Sequence, residues 1–332
     1  MRLRLFFSAL ALLVVASGGV FHYVSSALQA PLQLTQSSLY TVDRGQTYHA
    51  VINDMQQRGW INSTLPFRIY AKVFADRTRI KSGTYQLSRN DNMVHLLAMM
   101  RDGREAQFKI TFVEGSTFGQ WLQQLQASEH ITQSIGSMSH KQILQLLSSE
   151  FDHPEGLFFP DTYQYTAATK DIDILRQAHT RMLNVLNASW QQRVDGLPYK
   201  TAYEALIMAS LIEKETAKVS EQPLIASVFV SRLKKGMRLQ TDPTIIYGLG
   251  DRYTGDITYA NLREKTAYNT YRIDGLPPTP IAMPGESAIQ ASVKPAQSDY
   301  LYFVSKGNGE HYFSKTLQEH NRAVDKYIRG KK

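Results

Sequence analysis

The chain has 332 residues, 43% hydrophobic and 20% charged, with a formal net charge of +8. That length buries a sizeable core without covalent staples, and the absence of cysteine excludes thiol nucleophiles, disulfides and thiol-linked lipid. The basic balance points to an acidic surface or an anionic polymer as neighbour. No zinc-finger spacing, RNP-like aromatic motif or dense basic arm supports nucleic acid, which is not expected as a partner.

Residues 1–4, with Arg2 and Arg4, read as a cytoplasmic stub, and residues 5–24 are apolar and long enough for one membrane-spanning helix. A cleaved signal peptide is the alternative, with Val14-Val15-Ala16 as a passable cleavage site, but the apolar run exceeds what such peptides usually carry. The placement of the arginines predicts a single-pass protein of the cell inner membrane, with the remaining body on the periplasmic side. Residues 25–38 are uncharged and rich in Ser and Gln, and read as a linker that adds nothing to a core.

Beyond the linker, residues 39–42 read as a strand, Asp43-Arg44-Gly45 as a turn, and 47–58 as a helix stopped at Gly59. A helix over 66–75, a strand over 83–87, a helix over 92–101 ended at Gly103 and a strand over 108–113 follow. The strand-helix-helix-strand order within residues 39–107, opened by YTVDRGQT, resembles a small LysM-type glycan-binding module. Residues 108–332 are more helical and form the expected catalytic domain, with helices over 117–127, 141–148, 171–194 and 203–217. Between them, residues 155–163 hold too many turn formers and aromatics for a helix. Either this loop faces a cleft, making Glu155 a substrate contact, or it is a buried connection whose aromatics fill core. Another helix covers 220–235, with Ser220 as N-cap and Lys234-Lys235 where the helix dipole favours cations. A turn at Gln240-Thr241-Asp242-Pro243, a hairpin of 300–304 with 311–314 around Lys306-Gly307-Asn308-Gly309, and a closing helix over 316–328 complete the chain.

No HExxH, EF-hand loop, Walker glycine loop or GxSxG elbow is present, and the nine histidines are scattered, so neither metal nor cofactor is expected. The chemistry concentrates at Glu213 and Glu215, near the end of an apolar helical run. Two residues apart on a helix, they point about 200° away from each other, so at most one enters a given cleft. Glu215 follows Leu211 by four and Ile212 by three, along an apolar stripe, whereas Glu213 follows Ala209 and Ser210 and can meet solvent or lysine. Burial raises a glutamate pKa and keeps a proton available for a sugar oxygen. The plain alternative for either is a surface glutamate on an amphipathic helix. Gln240, Thr241, Asp242, Tyr247, Tyr268, Asn269 and Tyr271 supply amides, hydroxyls and ring faces suited to sugars, or else merely make turns and fill core.

The segments SLIEKETA, SVFVSRLKKGMRLQTDPTIIYGLG, TAYNTYRIDGLPPTPIAMPG and EGLFFPDTYQY resemble the signature segments of the endolytic murein transglycosylases, the MltG/YceG family. The resemblance covers nearly the whole chain. It implies cleavage of nascent peptidoglycan strands between N-acetylmuramic acid and N-acetylglucosamine to leave a 1,6-anhydromuramoyl end, with peptidoglycan synthases as further partners. The family's catalytic glutamate matches Glu215, followed by Thr216. The expected architecture is α+β: a membrane-spanning helix, a small LysM-like subdomain and a larger catalytic domain built on a lysozyme-like active-site helix. Two other functions stay open at this point: a noncatalytic glycan-binding scaffold for cell-wall synthases, and a hydrolytic muramidase.

Overall fold

A computed structural model describes residues 2–330; Met1, at the head of the expected stub, and the Arg2 side chain lie outside the described residues. The chain divides into two compact units, Met1–Phe108 with Gln164–Ala168, and Lys109–Tyr163 with Thr169–Lys332. The secondary structure is mixed α and β, and every sheet among the described residues is two-stranded.

The first unit begins with α1 (Arg2–Gln29), whose 28 residues make a rod about 42 Å long. Its stretch Leu3–Gln29 is apolar enough to cross a membrane. Strand β1 (Ser38–Val42) pairs antiparallel with β2 (Gly83–Leu87), Ser38 opposite Leu87 and Val42 opposite Gly83. Between the strands lie α2 (Tyr48–Gln57), capped by the Thr47 hydroxyl, and α3 (Leu65–Val73); α4 (Met93–Asp102) follows, capped by Asn92 and ended by Gly103 in the left-handed region. Only glycine adopts that conformation without a Cβ penalty.

The expected linker at residues 25–38 is not one. Helix α1 continues to Gln29, Val24, Leu28 and Leu32 are buried in the same core as Tyr40, Ile52, Met55, Tyr85 and Leu96, and the Leu32 N–H donates to Asp91 O at 2.7 Å. Leu28 and Leu32 look isolated in a polar run, yet they cover one side of the strand-helix core. Removing residues 1–30 therefore strips Val24 and Leu28 from that core. At 1.5–3 kcal/mol for each buried aliphatic side chain, the first unit is expected to lose about 3–6 kcal/mol. Calorimetry of the truncated and full chains in detergent measures this; an unchanged transition would show the contact to be dispensable.

The chain passes from one unit to the other within β3 (Gln107–Thr111) and again within β5 (Thr162–Thr166), two strands that pair with each other, and in the second unit β4 (Ile131–Thr132) runs parallel to β6 (Thr169–Lys170). Helices α5 (Phe118–Gln126) and α6 (His140–Leu146) each start on a capping box, at Thr117 and Ser139. Then come α7 (Asp171–Gln191), α8 (Ala202–Glu215), α9 (Gln222–Lys234), α10 (Asp242–Leu249), α11 (Tyr259–Arg263) and α12 (Glu286–Val293). The hairpin of β7 (Tyr302–Ser305) and β8 (His311–Ser314) and helix α13 (Leu317–Tyr327) close the unit. Helix α8 is its axis: every residue from Ala205 to Ile212 is buried, with α7, α9 and α12 packed round it. A helix buried on all sides cannot show the single apolar stripe of a surface helix.

Candidate active site

Glu215 owes its position to the way α8 ends. The helix starts on a capping box between Thr201 and Glu204, and stops when Thr216 turns extended (φ −149°, ψ 134°), its N–H still bonded to Ile212 O at 3.3 Å. Glu215 is thus the last helical residue, at the negative end of the helix dipole, where a carboxylate is disfavoured. Burial drives its pKa up to about 7; a hydrogen bond from Thr241 opposes the rise and the charge of Asp242 adds to it.

Thr241 Oγ1 donates to Glu215 Oε1. The expected turn around Thr241 is instead the entry and first turn of α10: Thr241 holds the N-cap position and Pro243 lies in the first turn, where no N–H is needed. Asp242 is the first residue of that helix. Gln240 takes a positive φ of 55° and is held there from two sides, its N–H on Thr270 O at 3.2 Å and its Oε1 accepting from Arg232 Nη1 at 3.2 Å. The Thr241 N–H donates to Thr270 Oγ1 at 3.0 Å, and the Tyr271 hydroxyl donates to Asp242 Oδ1 at 2.7 Å. The two polar segments around 240–244 and 269–271 are therefore laced together beside Glu215. With Arg232, strand β7 and His320, they enclose a polar cleft of about 360 Å³ that Glu215, Gln240, Asp242 and Tyr271 line.

The other predicted contacts are placed elsewhere. Tyr247, Tyr268 and Glu155 form a separate group, with the two rings edge-to-face at 4.9 Å and the Tyr247 hydroxyl donating to Glu155 Oε2 at 3.1 Å. Glu155 is 4% exposed, and its other oxygen accepts the Phe118 N–H at 2.9 Å, at the start of α5. The buried-connection reading of residues 155–163 is the one the structure supports, and Glu155 is a helix cap within it. Burial raises its pKa to about 7, against hydrogen bonds from Phe118 and Tyr247 that lower it. Since the folded value lies above the ordinary 4.5, the full stability is present below that pH and is lost as pH rises through about 7. Glu155→Gln is expected to remove about 3 kcal/mol of that alkaline loss. Denaturation at pH 5 and pH 9 tests this, and an equal pH dependence in both proteins would refute it.

Asn269 does not line the cleft. It is 1% exposed, and its amide donates to the carbonyls of Asn261, Leu262 and Glu264 (3.1, 3.3 and 2.7 Å), while its Oδ1 accepts the Tyr271 N–H at 3.0 Å. No donor is left for a sugar; the residue closes the end of α11 and sets the direction of Tyr271. Asn269→Ala is expected to cost about 2–4 kcal/mol by orphaning those carbonyls, lowering thermal stability together with activity. Lost activity at an unchanged melting temperature would restore the substrate-contact reading.

Glu213 does point away from Glu215's cleft, but not to solvent: its Oε2 accepts the Gly285 N–H at 3.0 Å, at the N-cap of α12, and burial raises its pKa. The YceG-like family model matches residues 40–326, which leaves out the first 39 residues of the first unit and the last six of the second. The chain belongs to the YceG-like family. It is 31% identical over 333 residues to the endolytic murein transglycosylase of Bacillus subtilis (strain 168), covering 95% of this chain and 91% of that one. It is 27% identical over 362 residues to the endolytic murein transglycosylase of Streptococcus pneumoniae serotype 2 (strain D39), covering 96% of this chain and 64% of the relative. Among solved structures, a YceG-like protein from Listeria monocytogenes superposes with a TM-score of 0.54 at 28% identity, over 87% of this chain and 99% of that one.

Sequence reasoning missed part of this YceG-like cleft: Arg232, strand β7 and His320. A lone arginine inside the apolar run VFVSRL was the one available signal, since a cation in a buried helix needs partners.

Proposed function

We propose that this YceG-like protein is a membrane-anchored endolytic lytic transglycosylase that cuts peptidoglycan strands between N-acetylmuramic acid and N-acetylglucosamine and leaves a 1,6-anhydromuramoyl end. The observation that carries the mechanism is a single glutamate at the end of a buried helix, held by Thr241 at the edge of a polar cleft, where burial pushes its pKa up to about 7. A group poised there can give a proton and take one back within a single turnover.

Protonated Glu215 gives its proton to the glycosidic oxygen as the bond from C1 of the muramic sugar breaks. The cation-like sugar left behind is stabilised by its own acetamido oxygen and by the negative charge of Asp242. Glu215, now a carboxylate, takes the proton of the C6 hydroxyl as O6 bonds to C1, which closes the anhydro ring and restores the acid. No water is consumed. Gln240 and Tyr271 are the contacts assigned to the sugar, with Thr241 holding Glu215 in place. Tyr247 and Tyr268 serve as support, because neither lines that cleft and their hydroxyls bond Glu155 and Thr279.

Asp242 gives the hydrolytic muramidase reading one specific argument, because hydrolases use a second carboxylate to activate water or trap the sugar. Against it, the Tyr271 hydroxyl already occupies an Asp242 oxygen, and the curated relatives carry the transglycosylase name. Mass spectrometry of products from purified strands separates the readings. Fragments one water lighter than hydrolysis products identify the anhydro end; reducing ends identify a muramidase, and no products a scaffold. In this reading α1 anchors the protein in the inner membrane with the body in the periplasm. The first unit is a LysM-like module that grips the strand, and peptidoglycan synthases are the partners such placement serves.

A further inference from the structure

Helix α3 carries more apolar surface than its own core uses. Pro66, Phe67 and Ala71 are buried in that core, while Leu65, Val73 and Phe74 are 56%, 65% and 42% exposed. Leu65, Ile69 and Val73 recur every four residues and share one side of the helix. Toward the end of α3, Ile69, Tyr70, Val73 and Phe74 form one wall of an apolar groove of about 430 Å³. The opposite wall is α1 itself, through Leu13, Ala16, Ser17, Val20, Phe21 and Val24, a spacing that marks a single helical face. Residues 65–82 also hold Arg68, Lys72, Arg77, Arg79 and Lys81, all exposed, against the single carboxylate of Asp76.

We propose that α3 and the turn after it make a second membrane contact: the outward stripe enters the bilayer beside α1, a lipid acyl chain fills the groove, and the five cations meet anionic headgroups. The proposal rests on α1 spanning the membrane. The groove commits to lipid as its occupant because one of its walls is the membrane helix, so the apolar surface of α3 continues a surface that already faces hydrocarbon. An interfacial helix with an apolar face and cations alongside binds anionic bilayers through both terms, and long Lys and Arg side chains reach headgroups while their stems stay in the apolar layer. Arg77 already lies over the Phe74 ring, 5.3 Å from its centroid, so the charge tracks the apolar edge. Val24 and Leu28 tie α1 to the core of the first unit, so span and unit tilt together on the bilayer. The second contact fixes their orientation.

The chain contains no cysteine, so single cysteines can be introduced at Val73, at Val15 on the membrane helix and at Tyr259, which is 80% exposed in the second unit. Each full-length variant carries a nitroxide label in bilayer discs containing phosphatidylglycerol, and its accessibility to oxygen is compared with that to a water-soluble nickel chelate. The expected oxygen-to-nickel ratio at Val73 is close to that at Val15 and several-fold above that at Tyr259, with Phe74→Cys repeating the result. In Lys72→Glu/Arg77→Glu the ratio at Val73 is expected to fall several-fold while Val15 stays unchanged; no fall would remove the headgroup contact from the proposal. A water-like Val73 beside a lipid-like Val15 would overturn the second contact alone. Water-like values at both would overturn it together with the anchor on which it depends.

Discussion

Glu215→Gln is expected to lower kcat/KM for release of anhydro product by roughly ten-thousandfold, the upper end of what one acid–base group contributes. Glutamine keeps the size of the side chain and can still accept from Thr241, so the fold and glycan binding should survive. It has no acidic proton to give and cannot become a carboxylate base, so both halves of the reaction lose their agent. Glu213→Gln is the matched control. Its oxygen can still accept from Gly285, it lies away from the cleft, and turnover should stay within a small factor of the parent. With the acid's pKa at about 7, the parent's kcat/KM should hold its value just below that pH and fall about tenfold per unit above it, a limb absent from any residual Glu215→Gln activity. The measurement is anhydro-product release across pH by proteins of equal melting temperature. Near-parent turnover in Glu215→Gln, or a dead Glu213→Gln at unchanged stability, would move the acid elsewhere.

Arg232→Met should be nearly as damaging, through the walls of the cleft instead of its chemistry. Arg232 is 7% exposed; its Nε donates to Leu301 O at 2.7 Å, and its Nη1 reaches Arg238 O, Leu239 O and Gln240 Oε1 at 3.0, 2.9 and 3.2 Å. It also lies over the Tyr302 ring, 5.1 Å from the centroid. One side chain thus ties α9 to the approach of α10 and to the start of β7. Methionine fills similar space but leaves three backbone carbonyls without donors, at 1–3 kcal/mol for each buried orphan. The expected loss is about 3–5 kcal/mol once water partly re-enters the cleft. Gln240, freed from one of its two restraints, should also relax from its positive φ and weaken substrate binding. Arg232→Lys should not rescue, because an ammonium has no planar fork to span these acceptors. Chemical denaturation together with KM tests this, and a loss below about 1 kcal/mol would mean that the walls hold without the arginine.

What could be read from the chain were features whose cause is local. Asn92 and Gly103 bound α4, Thr117 opens α5, β2 spans Gly83–Leu87, and the glycine-rich turn makes the β7–β8 hairpin, because caps, turns and alternation act within a few residues. Ser220 fails as a cap for a reason a few residues away: Val219–Glu221 forms a 3-10 turn and α9 begins at Gln222, with Pro223 in its first turn. Glu221, at the N-cap position, is spent on His311 from far along the chain, with its Oε2 at 2.8 Å from His311 Nδ1. The buried helix α12 lacks a side-chain cap, and its small residues carry little periodic signal, so only its place against α8 explains it.

The site divides along the same line. By itself the sequence determined that a glutamate pair ends an apolar helix, that the pair must diverge, and that one long ordered set of motifs belongs to murein-cleaving enzymes. Only the tertiary structure decided that Glu215 meets Thr241 and shares a cleft with Asp242 and Tyr271, that Glu155 and Asn269 cap helices, and that Leu28 and Leu32 belong to a core. Helical geometry fixes the angle between residues two apart, so divergence follows from position alone. A carboxyl's partners and its desolvation are set by residues 26 or 37 positions away, brought near by packing that no local pattern encodes.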